Sequence, residues 1–293
     1  MSGAPDGPAM GLPSTELWFT ERQTPDLALS LRITRTLHTE VTPYQELMVA
    51  ETASWGRALF LGGTIQLTER DEFCYHEMLV HVPMSAHPSP RRVLVIGGGD
   101  GGTVREVLRH PAVEQVDLVE IDEAVVEAGR RFFPTVSSGL DDPRVTVHVR
   151  DGIEFAAQAP EAGYDVVLVD STDPVGPAVG LFQRPFYAAV RRAVGPGGIL
   201  VAQAESPLLH AGLIAATARE MRGAFGRVSL YLGPVPTYPS GWWSYLAASD
   251  AVDVSRPRPD GAPAGTRYYS APVHEAAFAL PPVVGALMPE WQP

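Results

Sequence analysis

The stretch Arg92-Val93-Leu94-Val95-Ile96-Gly97-Gly98-Gly99-Asp100-Gly101-Gly102-Thr103 decides the fold of this chain. A short apolar run flows into five glycines within six positions, and Val104, Val107 and Leu108 follow at helical spacing. Gly97, Gly99 and Gly102 satisfy the G-x-G-x-x-G pattern in its required place, after a strand and at the opening of a helix. Glycine is needed where the chain turns tightly and a ligand comes close to the backbone. Alone, the pattern fits dinucleotide folds and adenosyl-sulfonium folds alike. A Gly-rich turn without a ligand is the plainer alternative, and glycine this dense disfavours it.

Outward from this stretch, strands and helices alternate. Gln115–Ile121 reads as the next strand and Ala124–Phe133 as a helix ended by Pro134. Val145–Arg150 and Asp165–Asp170 read as a third and a fourth strand. Arg184–Val194 is a helix stopped by Gly195-Pro196-Gly197-Gly198, and Ile199–Ala204 is a fifth strand. A helix over Ala211–Phe225 has Gly226 behind it as a cap. Such alternation means a parallel, doubly wound α/β sheet with ligands at the carboxyl ends of its strands. Val228–Gly233 and Trp242–Ala248 have no helix between them, which implies an antiparallel edge. Ser255–Gly265 is a Pro/Gly-rich surface loop.

Upstream, the runs 28–37, 44–52 and 57–66 are short and strand-like, with Gly56 and Gly62-Gly63 as breaks. They imply a small antiparallel β domain. Asp71 to Val82 reads as a helix stopped by Pro83. The expected division is a flexible lead over residues 1–13, a β domain over 14–70 and the α/β domain over 71–293.

Of the 293 residues, 45% are apolar and 19% charged, enough to bury an ordinary core. The 22 basic residues face 34 acidic ones, a net charge of −12. That balance speaks against a nucleic-acid partner and for neutral or cationic small ligands. Every basic residue is Arg, so a Schiff-base lysine and a P-loop lysine are excluded. Cys74 is the only cysteine, so neither an intrachain disulfide nor a cysteine zinc cage can form. The eight histidines form no H-x-H or H-E-x-x-H pattern, and no metal is expected. No run is long and apolar enough for a membrane span, and Met1–Ser14 lacks the regions of a signal peptide. The expected location is the cytoplasm, with no membrane partner.

The strand ends carry acids. Asp100 lies where dinucleotide sites leave room for pyrophosphate at a helix N-terminus. At ~4 Å and an effective dielectric near ~20, a like-charge contact there costs about 4 kcal/mol, enough to choose a ligand. Asp100 would welcome an ammonium; its plainer use is as a helix N-cap. Glu120, about 20 residues past the glycines, suits the ribose hydroxyls of an adenosine. Asp122 is then a cap for the next helix. Asp151-Gly152 could accept from an adenine amino group and let the base approach. Asp170-Ser171-Thr172-Asp173-Pro174-Val175-Gly176-Pro177 puts two carboxylates three apart in a stiffened loop. So many acids in one crevice would be costly without cationic ligands.

Taken together, these residues resemble a known family. Tyr75-His76-Glu77-Met78, Gly97–Gly102 with Arg105-Glu106, Glu120-Ile121-Asp122, Asp151-Gly152, Asp170–Pro177 and Pro236-Thr237-Tyr238-Pro239 are similar to the motifs of polyamine aminopropyltransferases, above all spermidine synthases. They occur in the family's order over about residues 15–290. The resemblance implies a Rossmann-like sheet of the methyltransferase type. It implies aminopropyl transfer from decarboxylated S-adenosylmethionine, a co-substrate with no bound cofactor, to putrescine, giving spermidine and methylthioadenosine. By match to the motifs, Gln45, Glu120, Asp151, Gly152 and Pro177 would hold the nucleoside and Asp100 the aminopropyl ammonium. Tyr75, His76, Asp173 and Tyr238 would line the diamine channel with Gln66, and Asp170 would accept the proton. A homodimer or homotetramer is implied as well. The family's Leu-Asp-Gly reads Leu61-Gly62-Gly63 here, which removes any contact that aspartate would make.

Alternatives differ by chemistry. An amine N-methyltransferase using intact S-adenosylmethionine would share the sheet, but Asp100 would repel the carboxylate of that donor. An aminopropyltransferase for cadaverine, agmatine or spermidine is closer; relatives with longer or branched products often read Gly-Gly-Gly-Glu-Gly, so Asp100 favours putrescine. A polyamine-binding module without catalysis would release no methylthioadenosine, and a nicotinamide dehydrogenase is disfavoured by Asp100.

Overall fold

The computed structural model describes residues 15–173 and 176–288, with Pro177 in its backbone alone. The lead expected over residues 1–13, and Pro174 and Val175 of the acidic loop, lie outside the described residues.

Five strands form an antiparallel sheet in sequence order: β1 (Leu17–Thr24), β2 (Leu27–Val41), β3 (Glu46–Thr52), β4 (Arg57–Leu61) and β5 (Thr64–Thr68). The run 57–66 is thus two strands. Gly62 and Gly63 both take positive φ, 55° and 83°, and close a tight hairpin with Leu61 opposite Thr64. β1 has no counterpart in the sequence reading, and β2 runs past Leu37 to Val41. Their outer ends are exposed on both faces and carry no alternation to read.

Helix α1 (Glu72–Ala86) follows, with Pro83 inside it. The expected stop at Pro83 is incorrect. Proline removes one backbone hydrogen bond and crowds the preceding turn. Here every residue of the helix except Phe73 is buried, so packing outweighs that local cost. Glu77, 1% exposed, projects from α1 and accepts from the backbone N–H groups of Arg267, Tyr268 and Tyr269 at 2.7, 2.8 and 2.7 Å. One carboxylate thereby ties a C-terminal loop to the central helix.

The second sheet has seven strands. They are β6 (Arg92–Gly97), β7 (Gln115–Glu120), β8 (Val145–Val149), β9 (Val166–Asp170), β10 (Ile199–Gln203), β11 (Arg227–Pro234) and β12 (Trp242–Ser249), in the order β11-β12-β10-β9-β6-β7-β8. β12 pairs antiparallel with β10 and β11, the edge anticipated above, and the other pairs are parallel. Val93, Val95, Val166, Leu168, Ile199 and Val201 pack on one face; Leu94, Ile96, Val167, Val169, Leu200 and Ala202 pack on the other. Both faces are covered, so these strands read as continuous apolar runs.

Helices α2 (Gly102–Val107), α3 (Glu123–Phe132), α4 (Gly152–Gln158), α5 (Arg184–Val194) and α6 (Ala211–Arg222) connect the strands. α4 was not expected: it has seven residues and buries only Ala156, too little for a period to show. α6 ends three residues early, capped by Gly223 rather than Gly226. α3 presents Val125 and Ala128 to Leu47, Val49 and Leu59 of the first sheet, which joins the two sheets through one apolar cluster. No helix among the described residues is long and apolar enough to cross a membrane.

The order reverses between β6 and β9, so the carboxyl ends of β6, β7, β9 and β10 open on one crevice. Replacing Glu77 by Ala would leave a cavity in a buried helix and orphan three N–H groups, of which that of Tyr269 is buried. Chemical denaturation is expected to show a loss of about 3 kcal/mol or more. A loss below ~1 kcal/mol would show that the loop needs no such anchor.

Candidate active site

A cavity of about 380 Å³ occupies the crevice. Seven carboxylates line it, from Glu21, Asp100, Glu120, Asp151, Asp170, Asp173 and Glu205, together with His76 and no arginine among the described residues. Gln45, Gln66, Tyr75, Gly152 and Tyr238 line it as well. Every site residue expected from the sequence therefore reaches one cavity except Pro177, whose backbone lies in the 3-10 turn Gly176–Phe182 and whose side chain is outside the described residues.

The glycine loop makes the convergence possible. A Cβ on Gly97 would sit 2.1 Å from the carbonyl oxygen of Asp170, and one on Gly98 would sit 2.6 Å from Asp170 Oδ2. A Cβ on Gly102 would enter the His76 ring at 2.2 Å. Bare backbone at these positions brings the ends of β6 and β9 and the start of α2 around common space. The N-cap position of α2 belongs to Gly101, not to Asp100. Asp100 Oδ1 instead accepts the Gly102 N–H at 2.8 Å and stands 3.5 Å from His76 Nε2.

Asp170 is held by two hydroxyls: Tyr75 donates to Oδ1 at 2.7 Å and Thr103 to Oδ2 at 2.6 Å. The Tyr75 ring packs against Tyr238 at 5.6 Å, and Tyr238 meets Trp243 edge-on at 4.7 Å. The Tyr238 hydroxyl donates to the Gln66 carbonyl, and Asp71 fixes the same turn by accepting from the N–H and hydroxyl of Thr237 at 2.9 and 2.7 Å. Three aromatic rings thus form one wall beside the Asp170 carboxylate.

At the other end, Glu120 accepts the N–H groups of Gly99 and Asp122 at 3.1 and 3.0 Å. Burial still pushes its carboxyl up to about 7. Asp122 caps α3 by accepting from Ala124, as expected, and also receives Thr42 and Gln45 from the first sheet at 2.8 and 3.1 Å. Asp151 caps α4 through the N–H groups of Ile153 and Glu154. Gly152 has a packing reason besides any ligand, since a Cβ there would meet Ile96 Cγ2 at 2.4 Å.

His76 is the cation of this cavity. Burial works against its charge, but Asp100, Glu72 and Asp170 outweigh it and lift the imidazolium to about 9. One ligating atom from each of His76, Asp100 and Asp170 lies within 4.8 Å of the others, and the protonated ring meets the charge of that cluster. Burial raises Asp100 as well, with Asp170 adding to the rise. At the rim, desolvation and the adjacent Glu205 push Asp173 up to about 8. Two carboxylates this close cannot both ionise freely, and Asp173 keeps the proton while Glu205 is held low by His210 at 3.1 Å.

Two lining acids, and one residue that holds Asp170 from behind, escaped the sequence reading. Glu205, 2% exposed, follows β10 just as Asp170 ends β9, and the same strand-end rule applied to the fifth strand finds it. Glu21, 5% exposed, comes from β1 and accepts the Ile65 N–H at 2.7 Å; nothing local marks it. Thr103 sits one residue past the glycines and carried no signal for contact with Asp170.

The chain's relatives accord with this geometry. Residues 72–256 match the family described as the spermine/spermidine synthase domain, and residues 17–69 match the spermidine synthase tetramerisation domain. The polyamine aminopropyltransferase of Moorella thermoacetica is 52% identical over 269 residues, covering 92% of this chain and 95% of its own length. That of Caldicellulosiruptor bescii is 49% identical over 275 residues, covering 92% and 97%. The spermidine synthase of Thermotoga maritima superposes with a TM-score of 0.90 at 37% identity, over 96% of this chain and 97% of that one. A spermidine synthase in complex with the transition-state analogue AdoDATO gives a TM-score of 0.92, also at 37% identity and with the same coverage. The resemblance drawn from the motifs holds, and with it the Rossmann-like sheet: the chain belongs to the spermine/spermidine synthase family, the polyamine aminopropyltransferases.

Proposed function

We propose that the chain transfers the aminopropyl group of decarboxylated S-adenosylmethionine to putrescine. The observation that carries this reading is the cavity with, among the described residues, seven carboxylates, one imidazole and no arginine. Hydrogen bonds from neutral hydroxyls and N–H groups hold most of these acids without cancelling their charge. Such a cavity selects cations. Glu120 and Gln45 hold the ribose end of the donor, with Asp151, Gly152 and Pro177 about the base. Asp100 takes the aminopropyl ammonium. The diamine lies along Tyr75, His76, Gln66 and Tyr238, with its far ammonium at the Asp173–Glu205 pair, which shares one proton and keeps one negative charge.

The attacking nitrogen must be neutral. Its proton passes to Asp170, its lone pair forms a C–N bond at the aminopropyl carbon next to sulfur, and the C–S bond breaks with its electrons going to sulfur. The sulfonium leaves as a neutral thioether, methylthioadenosine, and needs no acid. The hydroxyls of Tyr75 and Thr103 fix the plane of the Asp170 carboxylate, and the aromatic wall excludes water beside it.

We further infer an oligomer built on the first sheet, a homodimer or homotetramer. Supporting this are the tetramerisation-domain match over 17–69 and the exposed Leu17, Trp18, Leu27 and Val41 on β1 and β2. Light scattering showing a monomer would remove it. With Cys74 as a free thiol and no disulfide, the protein is built as cytoplasmic proteins are.

The deciding experiment offers decarboxylated donor with putrescine, cadaverine, agmatine or spermidine and reads the products by mass spectrometry. Spermidine and methylthioadenosine are expected from putrescine. A methyl-shifted amine from intact S-adenosylmethionine would replace this reading by N-methyl transfer. Asp170→Asn is expected to lower kcat by about 100-fold or more, whereas Asp173→Asn acts mainly on the KM for putrescine. Equal losses in kcat would remove Asp170 as the proton acceptor. Glu120 accepts from ribose hydroxyls more strongly when ionised, since a charged acceptor makes the stronger hydrogen bond and a protonated carboxyl turns one oxygen into a donor. Its folded-state value near 7 means that methylthioadenosine binds more weakly as pH falls below 7 and stays level above it. Calorimetry that finds constant affinity across that range would take Glu120 off the ribose.

A further inference from the structure

Behind the cavity floor, buried ionised groups continue in an alternating line. His76, 2% exposed, has Nδ1 2.6 Å from Glu72 Oε2, one helical turn back on α1. Arg105 of α2 grips Glu72 with two bonds, Nη1 to Oε1 at 3.0 Å and Nη2 to Oε2 at 2.8 Å. Arg105 Nε in turn donates to Glu106 Oε1 at 2.7 Å. Glu106 Oε2 accepts from Arg109 at 3.1 Å and lies 3.1 Å from His81 Nε2. Glu72, Arg105 and Glu106 do not line the cavity, so the reading above gives them no part.

The line ends on Asp100. With Nδ1 tied to Glu72 and the ring packed flat on Gly102, His76 directs Nε2 to Asp100 Oδ1. The Gly102 N–H falls on the same oxygen. No hydrogen bond among the described residues reaches Oδ2, the oxygen left for a ligand.

We infer that Glu72, clamped by Arg105, is a positioning residue for the transfer reaction: it holds His76 against Asp100 Oδ1 and so turns Asp100 Oδ2 to the ammonium of the donor. The inference rests on the assignment of Asp100 to that ammonium. A carboxylate on the far nitrogen of a working imidazole fixes its orientation and protonation. The guanidinium fork fixes the carboxylate in two dimensions, which a point charge would not do. The groups that face His76 are Glu72 and Tyr75 on its own helix, Asp100 from the glycine loop and Asp170 from the end of β9. Arg105 stands behind Glu72. Burial disfavours the imidazolium and the three carboxylates restore it, so at neutral pH the ring carries a proton on each nitrogen, with Nδ1–H donating to Glu72 and Nε2–H in an ion pair with Asp100 at 3.5 Å.

Glu72→Gln tests the brace, because Gln keeps the size and can accept the Nδ1–H but carries no charge. The measurements are an NMR titration of the histidines in the whole enzyme and steady-state kinetics in each substrate. The expected result is a His76 titration lowered by about one pH unit or more, together with a KM for the decarboxylated donor raised about tenfold while kcat stays within about threefold. The KM for putrescine is expected to move little. Arg105→Lys, which keeps the charge and loses the fork, gives a smaller change in the same direction, and it carries the test if Glu72→Gln does not fold. A folded variant with unchanged His76 titration and unchanged donor KM overturns the inference, as does a loss confined to kcat. The titration needs no turnover. A wild-type protein that releases no methylthioadenosine therefore counts against the aminopropyl reading, whereas an unmoved His76 counts against the brace alone.

Discussion

Negative charge gathered in one crevice is the constraint around which this structure is arranged. Carboxylates brought this close repel one another, and burial raises the cost of each. The fold meets that cost locally. Glu120 receives two backbone N–H groups, Asp151 two more at a helix start, Asp170 two hydroxyls, Glu21 one N–H, and Asp173 holds a proton beside Glu205. Neutral donors make a carboxylate tolerable without erasing its field, which an arginine would do. Arg105 and Arg109 are engaged behind the floor by Glu72 and Glu106. Among the described residues that line the cavity, His76 is the cation, and His210 offsets Glu205 from outside it.

The sheet supplies the place for this arrangement. Its order reverses between β6 and β9, so the ends of parallel strands diverge there and leave a crevice. The glycine loop lets β9 press against the end of β6, and His76 of α1 against the start of α2, at distances that any side chain would block. Asp100 sets a carboxylate at the strand end where dinucleotide folds hold a pyrophosphate, a placement that disfavours an anion there.

Legibility varied with how local the cause was. Glu120, Asp151 and Asp170 could be found because each ends an apolar run, and a strand end in a doubly wound sheet faces the cleft. Glu205 obeys the same rule at the fifth strand and was within reach. Glu21 was not, since it arrives from another sheet and its only mark is burial. Pro83 reads locally as a stop and is overruled by a helix buried on nearly every side. α4 is too short for its apolar spacing to declare a period.

The sequence by itself determined the alternation of strands and helices, the glycine loop, the acids at the strand ends and the family, because each is written in neighbouring residues. Only the tertiary structure decided which of those acids share a cavity, that Glu21 joins them, and that Glu72 and Arg105 stand behind His76. Those relations link residues far apart along the chain, and electrostatic energy depends on distance in space, which packing alone sets.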